Sequence, residues 1–156
     1  MRSLAEPRPL VGKVFFRLYR TLLRRIATGG RGAAAAPLGE QGEELAYWHL
    51  RERGFTMVAR NYRPLGGGGE VDLIGWDGGT LVFIEVKSRA SEELRRAEDA
   101  VDEEKRRHLV AAARDYRRHA RIADSPYRFD VVSVHVRPGE DPAVEHFRDA
   151  FREAVS

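Results

Sequence analysis

The sequence has no cysteine, which removes disulfides, iron–sulfur clusters, thiolate zinc sites and cysteine nucleophiles together. It fits a reducing compartment, and a cytoplasmic location is the expectation. No apolar run approaches the roughly 18 residues that a membrane-crossing helix needs. Lysine is nearly as scarce: of 27 basic residues only Lys13, Lys87 and Lys105 are lysines. Where arginine is the default cation, each lysine asks for a reason, although the base composition of a gene can produce the same bias. The histidines (His49, His108, His119, His135, His146) show no zinc spacing, so solvated or boundary positions are expected for them. No GxxxxGK[ST] motif is present, and Gly66–Gly69 lead directly into no helix, so they form no phosphate loop. What is there is a chain of 156 residues, 42% hydrophobic and 33% charged. That is a globular composition sufficient for one domain with about thirty residues to spare.

The formal net charge of +3 conceals an asymmetry. Residues 1–36 carry eight basic residues against Glu6 alone, and the remaining 120 carry 19 basic and 23 acidic residues. The basicity therefore belongs to an N-terminal arm on a mildly acidic body, and the overall charge does not describe a globally basic nucleic-acid binder. In residues 10–27, Lys13, Arg17, Arg20 and Arg24 recur at spacings of 4, 3 and 4, with Val11, Val14, Phe15, Leu18, Leu22 and Ile26 opposite. This pattern predicts a basic amphipathic helix. Gly29, Gly30, Gly32 and Ala33–Ala36, closed by Pro37, read as a linker. Residues 1–36 are thus expected to be an extension, and 37–156 the domain.

The domain pattern predicts a helix over about 40–53 with Gly54 at its C-cap, a strand over about 55–62, and two β-rich runs divided by Gly78-Gly79. A helix over about 103–119 follows, with Asp102 as N-cap. A strand over 127–136 comes next, then a short strand and a closing helix. The order α-β-β-β-α-β-(β)-α predicts a mixed α/β fold with a central sheet and flanking helices.

Asp77-Gly78-Gly79-Thr80 predicts a two-residue primed turn with positive φ at both of its centres. Asp77 then pairs with Thr80, Asp72 lies opposite Glu85, and Glu70 lies opposite Lys87. By period-two alternation all four share one face. A three-residue loop would instead pair Asp72 with Ile84. Opposed Cβ atoms stand roughly 4.5–5.5 Å apart, and two carboxylates that close repel unless a cation separates them or one holds a proton. The bland reading is a solvated strand end with a Glu70–Lys87 ion pair. The sharper one is chemical: Asp72 and Glu85 are hard oxygen ligands suited to Mg²⁺, and a compact ammonium at Lys87 can hold an attacking water or charge developing on phosphorus.

The segments GEQGEELA (39–46), RGF (53–55), RNYR (60–63), GEVDLI (69–74), LVFIEVKSR (81–89), AVDEEK (100–105) and RFDVV (128–132) resemble, in order, those of the YraN-like proteins. That bacterial family is placed in the PD-(D/E)xK nuclease superfamily beside Holliday-junction resolvases. The resemblance implies a restriction-endonuclease-like fold with Asp72, Glu85 and Lys87 as the nuclease signature. It also matches Glu43 to the first-helix acid that related resolvases add to the metal site. Glu70 and Lys105 match family positions of less defined role, Lys105 being counted with the catalytic and nucleic-acid-binding residues. Val71 stands where the superfamily name has proline. The implied cofactor is Mg²⁺ with Mn²⁺ as substitute, and the implied partner is DNA, branched forms included. Resolvase relatives work as dimers, so a homodimer is a further expectation, although no dimer surface is legible.

Lys105 sits on the stripe Val101, Lys105, Leu109, Ala112, Tyr116, where a cation either snorkels or reaches the active face of the sheet. Glu43 and Glu44 also suit a helix start through the dipole alone. Arg60 and Arg63 are candidate phosphate contacts, against surface pairing. Trp48 and Trp76 read as packing residues. Two readings from different classes remain: a Mg²⁺-dependent endonuclease, and a non-catalytic module that binds nucleic acid or a protein partner on the same scaffold. The arm's helix suits a third role, docking onto a protein or an anionic surface.

Overall fold

The computed structural model describes residues 38–89, 101–137 and 140–153, together with Thr21. Apart from Thr21, the expected arm helix and linker lie outside these residues. The elements are α1 (Leu38–Glu52), β1 (Thr56–Tyr62), β2 (Val71–Asp77), β3 (Thr80–Arg89), α2 (Glu103–His119), β4 (Tyr127–His135) and β5 (Ala143–Phe151). The mixed α/β class is as expected. The closing helix is not: the segment read as a short strand and helix is one nine-residue strand to Phe151. In the sequence, helix-favouring Glu, Arg and Ala mask its alternation of Val144, His146 and Ala150 with exposed residues. Pairing with β4, from Phe129↔Phe151 to His135↔Ala143, overrides that local preference.

The five strands form one sheet in the order β1-β2-β3-β4-β5. Every pair is antiparallel except β3 and β4, which α2 connects as a crossover. The helices cover opposite faces. Leu45, Ala46 and Leu50 of α1 pack with Leu73, Val82, Ile84, Val132 and Val134. Leu109, Ala112 and Ala113 of α2 pack with Ile74, Leu81, Phe83, Phe129, Val131 and Phe151 on the other side. β3 is therefore buried on both faces, as its near-continuous apolar run requires.

Local chemistry sets the helix ends. Gly54 takes φ +92°, and the Phe55 and Gly54 amides donate to the Leu50 and Arg51 carbonyls, closing α1 in a Schellman motif. Asp102 caps α2 by accepting from the Lys105 amide at 2.8 Å. Gly42 faces β3, where an added Cβ would overlap Ser88 Oγ and stand 2.9 Å from Ser88 Cβ. Its lack of a side chain lets α1 lie close on the sheet, which places Glu43.

Candidate functional site

The β2–β3 turn has the expected parity: Asp77↔Thr80, Trp76↔Leu81, Gly75↔Val82, Ile74↔Phe83 and Leu73↔Ile84. Gly78 takes the expected positive φ, +57°, but Gly79 does not, so one centre of the turn and not both uses the left-handed region. The ladder ends at Leu73↔Ile84, one residue before the acids. There Asp72 Oδ2 accepts the Val86 backbone N–H at 2.7 Å, taking the place of a main-chain partner. Val71 and Leu73 pack into the cores on opposite faces of the sheet, although a flat strand would put both on one. The strand therefore turns over through Asp72 and brings its carboxylate against β3. Strict alternation misses that twist, but the juxtaposition it anticipates stands.

Glu85 is 3% exposed on the buried stretch of β3. Lys87 Nζ lies 2.9 Å from its Oε1, and Lys105 Nζ, arriving from the first turn of α2, lies 2.9 Å from its Oε2. The Lys105 ammonium also donates to the Glu70 carbonyl at 3.2 Å. The Oε2 contact is an ion pair without hydrogen-bond geometry, so a buried carboxylate oxygen keeps unused acceptor capacity. Lys105 thus reaches the active face of the sheet rather than snorkelling outward. Glu70 does not pair with Lys87. Its carboxylate takes Arg63 through Nε at 3.0 Å and Nη2 at 2.8 Å, and Lys87 turns to Glu85 instead.

The electrostatics follow from this geometry. Asp72 is pushed up from an ordinary 3.8 to about 7, first by burial and then by the charge of Glu85. The Glu43 charge adds to that rise, while the Val86 N–H and Lys105 act against it. Glu43 is itself raised, chiefly by burial and by Glu70, with Arg60 and an Asn61 hydrogen bond opposing. Asn61 adopts φ +50° inside β1, a left-handed conformation that asparagine tolerates, and so turns its amide toward α1. In the sequence Asn61 stands out only as the residue between two arginines; the signal for its role is a turn-favouring residue inside a strand.

Asp72, Glu85, Lys87, Lys105 and Glu43 are thus electrostatically one group drawn from β2, β3, α2 and α1. Arg60 and Arg63 stand beside it already engaged with acids. Arg60 Nη2 meets Glu44 Oε2 at 2.7 Å and its guanidinium lies over the Tyr47 ring, while Arg63 is held by Glu70. Trp48 donates to Glu44, and Trp76 packs on the α2-side core.

The histidine expectation needs correcting at His49, whereas His146 keeps a boundary position and takes a structural partner. His49 is buried on the inward stripe of α1, and burial with the neighbouring Arg53 pushes it down to about 4. His146 packs on Phe55 and contacts Asp130 Oδ2 at 2.8 Å. Asp130 is fully buried, and also meets Arg128 Nε at 2.9 Å and the Asp149 amide at 2.9 Å. This network joins β4 to β5 and, through Arg128 and Asp77, to the hairpin turn. Helical spacing of His49 with Leu45, Ala46 and Leu50 is the available signal for burial.

A hard divalent cation is tested by the donors present. Two carboxylates against one another, one of them driven toward protonation and the other with an unused oxygen, match the one or two carboxylates that Mg²⁺ takes alongside water and phosphate. Among the described residues no three His, Cys, Asp or Glu side chains cluster as a ready-made metal cage.

A mixed α/β domain with an acid pair and two lysines at a strand splay defines the class structurally. The profile of the uncharacterised protein family UPF0102 matches residues 42–134, which span every element of the site. A UPF0102 protein of Solibacter usitatus is 51% identical over 113 residues, covering 72% of this chain and 84% of that protein. One from Koribacter versatilis is 42% identical over 140 residues, covering 89% and 96%. One from Anaeromyxobacter dehalogenans is 46% identical over 123 residues, covering 79% and 90%. The chain belongs to the UPF0102 family. Among the described residues no helix is long and apolar enough to cross a membrane.

Proposed function

We propose that this protein is a metal-dependent endonuclease-like hydrolase of DNA phosphodiester bonds, of the PD-(D/E)xK kind, with Asp72, Glu85 and Lys87 at its centre. The single observation that carries the reading is the apposition of half-buried Asp72 to buried Glu85, which together with burial raises Asp72 to about 7, while Glu85 Oε2 keeps unused acceptor capacity. Asp72 and Glu85 would hold Mg²⁺ or Mn²⁺, and Glu43 would act on the site through its charge. The bound ion would polarise a phosphate and lower the pKa of water. Lys87, a compact point charge, would orient the nucleophilic water or meet charge on the phosphate in the transition state. Lys105 neutralises Glu85 from the other side and would contact the same phosphate.

The test uses the full chain. Mg²⁺ or Mn²⁺ should raise the melting temperature, as any ligand of the native state does, and Asp72→Asn or Glu85→Gln should abolish the shift. Lys87→Ala should keep the shift and lose cleavage of duplex, flap or four-way-junction DNA. Absence of both metal shift and cleavage would sink the reading.

One observation favours the second reading, a non-catalytic binding module. Glu85 already has an ammonium at each oxygen, 2.9 Å away in both cases, so internal counterions meet part of the site's need for positive charge. That reading expects binding without a metal-induced shift.

A further inference from the structure

A carboxylate with an ammonium at each oxygen is closed to a metal, and Glu85 is in that state, with Lys87 Nζ 2.9 Å from Oε1 and Lys105 Nζ 2.9 Å from Oε2. The two lysines are not held alike. Lys87 lies two residues along β3 from Glu85, so the strand that carries the acid also tethers this cation. Lys105 comes from the first turn of α2 and has a second, neutral partner, the Glu70 carbonyl at 3.2 Å. Leaving Glu85 therefore does not strand its ammonium, and its side chain, 26% exposed, has a way out to solvent. The oxygen it covers is buried and, among the described residues, accepts no hydrogen bond. Charge alone holds Lys105 there, and a buried carboxylate oxygen with a lone pair to spare is a ready ligand for a hard divalent cation.

We propose that Lys105 is a displaceable internal counterion: a divalent metal entering at Asp72 and Glu85 must evict it from Glu85 Oε2, and this eviction sets how tightly the free protein holds metal. The claim rests on the metal-dependent reading of the acid pair and adds what occupies that site before metal arrives. Repulsion drives the exchange, because two cations at contact distance from one oxygen repel strongly in a desolvated site. Lysine suits the part, being a compact charge on a flexible stem, whereas the rigid fork of an arginine would engage both carboxylate oxygens at once. In a chain with only three lysines among 27 basic residues, two stand on this one carboxylate. The ammonium released from Glu85 is then free for a phosphate oxygen, the contact that the proposed reaction asks of it.

Mn²⁺ binding to the full chain, followed by titration calorimetry at pH 8.5 without nucleic acid, tests this. Lys105→Met, which keeps the stem and removes the charge, should bind Mn²⁺ about tenfold more tightly than the wild type, within the span usual for coupled sites. Lys105→Arg should bind no more tightly than the wild type, and Lys105→Met combined with Glu85→Gln should lose the gain. A purely structural lysine predicts the reverse, weaker binding in Lys105→Met, because the site would loosen. The charge of Lys105 also favours ionised Asp72, so its loss makes that acid hold its proton more firmly against a metal. A gain in affinity therefore cannot arise from Asp72. Melting curves verify folding, and Lys105→Gln replaces Lys105→Met if that variant unfolds. Metal binding by the wild type with equal or weaker binding by Lys105→Met overturns the proposal and leaves the metal site standing. Binding by Lys105→Met alone supports it, the counterion then holding the wild-type site shut. No binding by either folded protein removes the metal reading, and this proposal with it.

Discussion

Replacing Asp72 by asparagine in the metal-free protein should reverse the usual penalty of changing a half-buried polar residue. The folded chain holds the Asp72 proton up to about pH 7, while the unfolded chain releases it near 3.8. Between these values the native state binds more protons, so the wild type loses stability as pH rises, by about 1.36 kcal/mol per unit. The full rise is about three units, or about 4 kcal/mol at pH 8. The asparagine side chain would keep an oxygen for the Val86 N–H, and exchanging one neutral side chain for another in this packed site should cost about 1 kcal/mol. The variant should therefore be slightly less stable at pH 4, equal near about pH 5, and about 3 kcal/mol more stable at pH 8. At roughly 2–4 °C per kcal/mol for a domain of this size, that is a gain of roughly 6–12 °C. Thermal melts of both proteins in a chelator, from pH 4 to 8, measure the difference. The titration of His49, which runs the opposite way, is common to both and cancels. A difference that is flat with pH, or a variant less stable at pH 8, would refute the placement of a buried acid pair here.

Gly42→Ala should destabilise by about 1–3 kcal/mol, the cost of overpacking, because its Cβ would overlap Ser88. Adding Ser88→Gly should recover part of the loss, and chemical denaturation of the wild type, both single variants and the double variant gives the coupling. Asp130→Ala removes the acid from His146 and one of the two acids from Arg128, which keeps Asp77, and should cost about 3–5 kcal/mol in urea unfolding. Whatever metal-induced shift the wild type shows should persist in Asp130→Ala, since Asp130 braces β5 and the hairpin rather than the acid pair.

Much of the molecule was decided locally and could be read from the sequence. Gly78-Gly79 sets the turn, the turn sets the parity of β2 and β3 as far as Leu73↔Ile84, and the twist beyond it brings Asp72 against β3 beside Glu85. Asp102 and Gly54 mark helix ends because capping involves only neighbouring residues. The lysine scarcity pointed to Lys87 and Lys105, and both ammonium groups lie on Glu85. Tertiary structure decided what depends on residues distant in the chain. Whether residues 143–151 became strand or helix depended on the open edge of β4, which no local propensity encodes. Which acid each cation would take, Glu70 for Arg63 and Glu85 for Lys87, followed from where the strands splay, a twist that strict alternation cannot express. The burial of Asp130 and its pairing with His146 arise where segments far apart in the chain are packed together. Sequence periodicity reports one element's own faces, and only packing reports which faces meet.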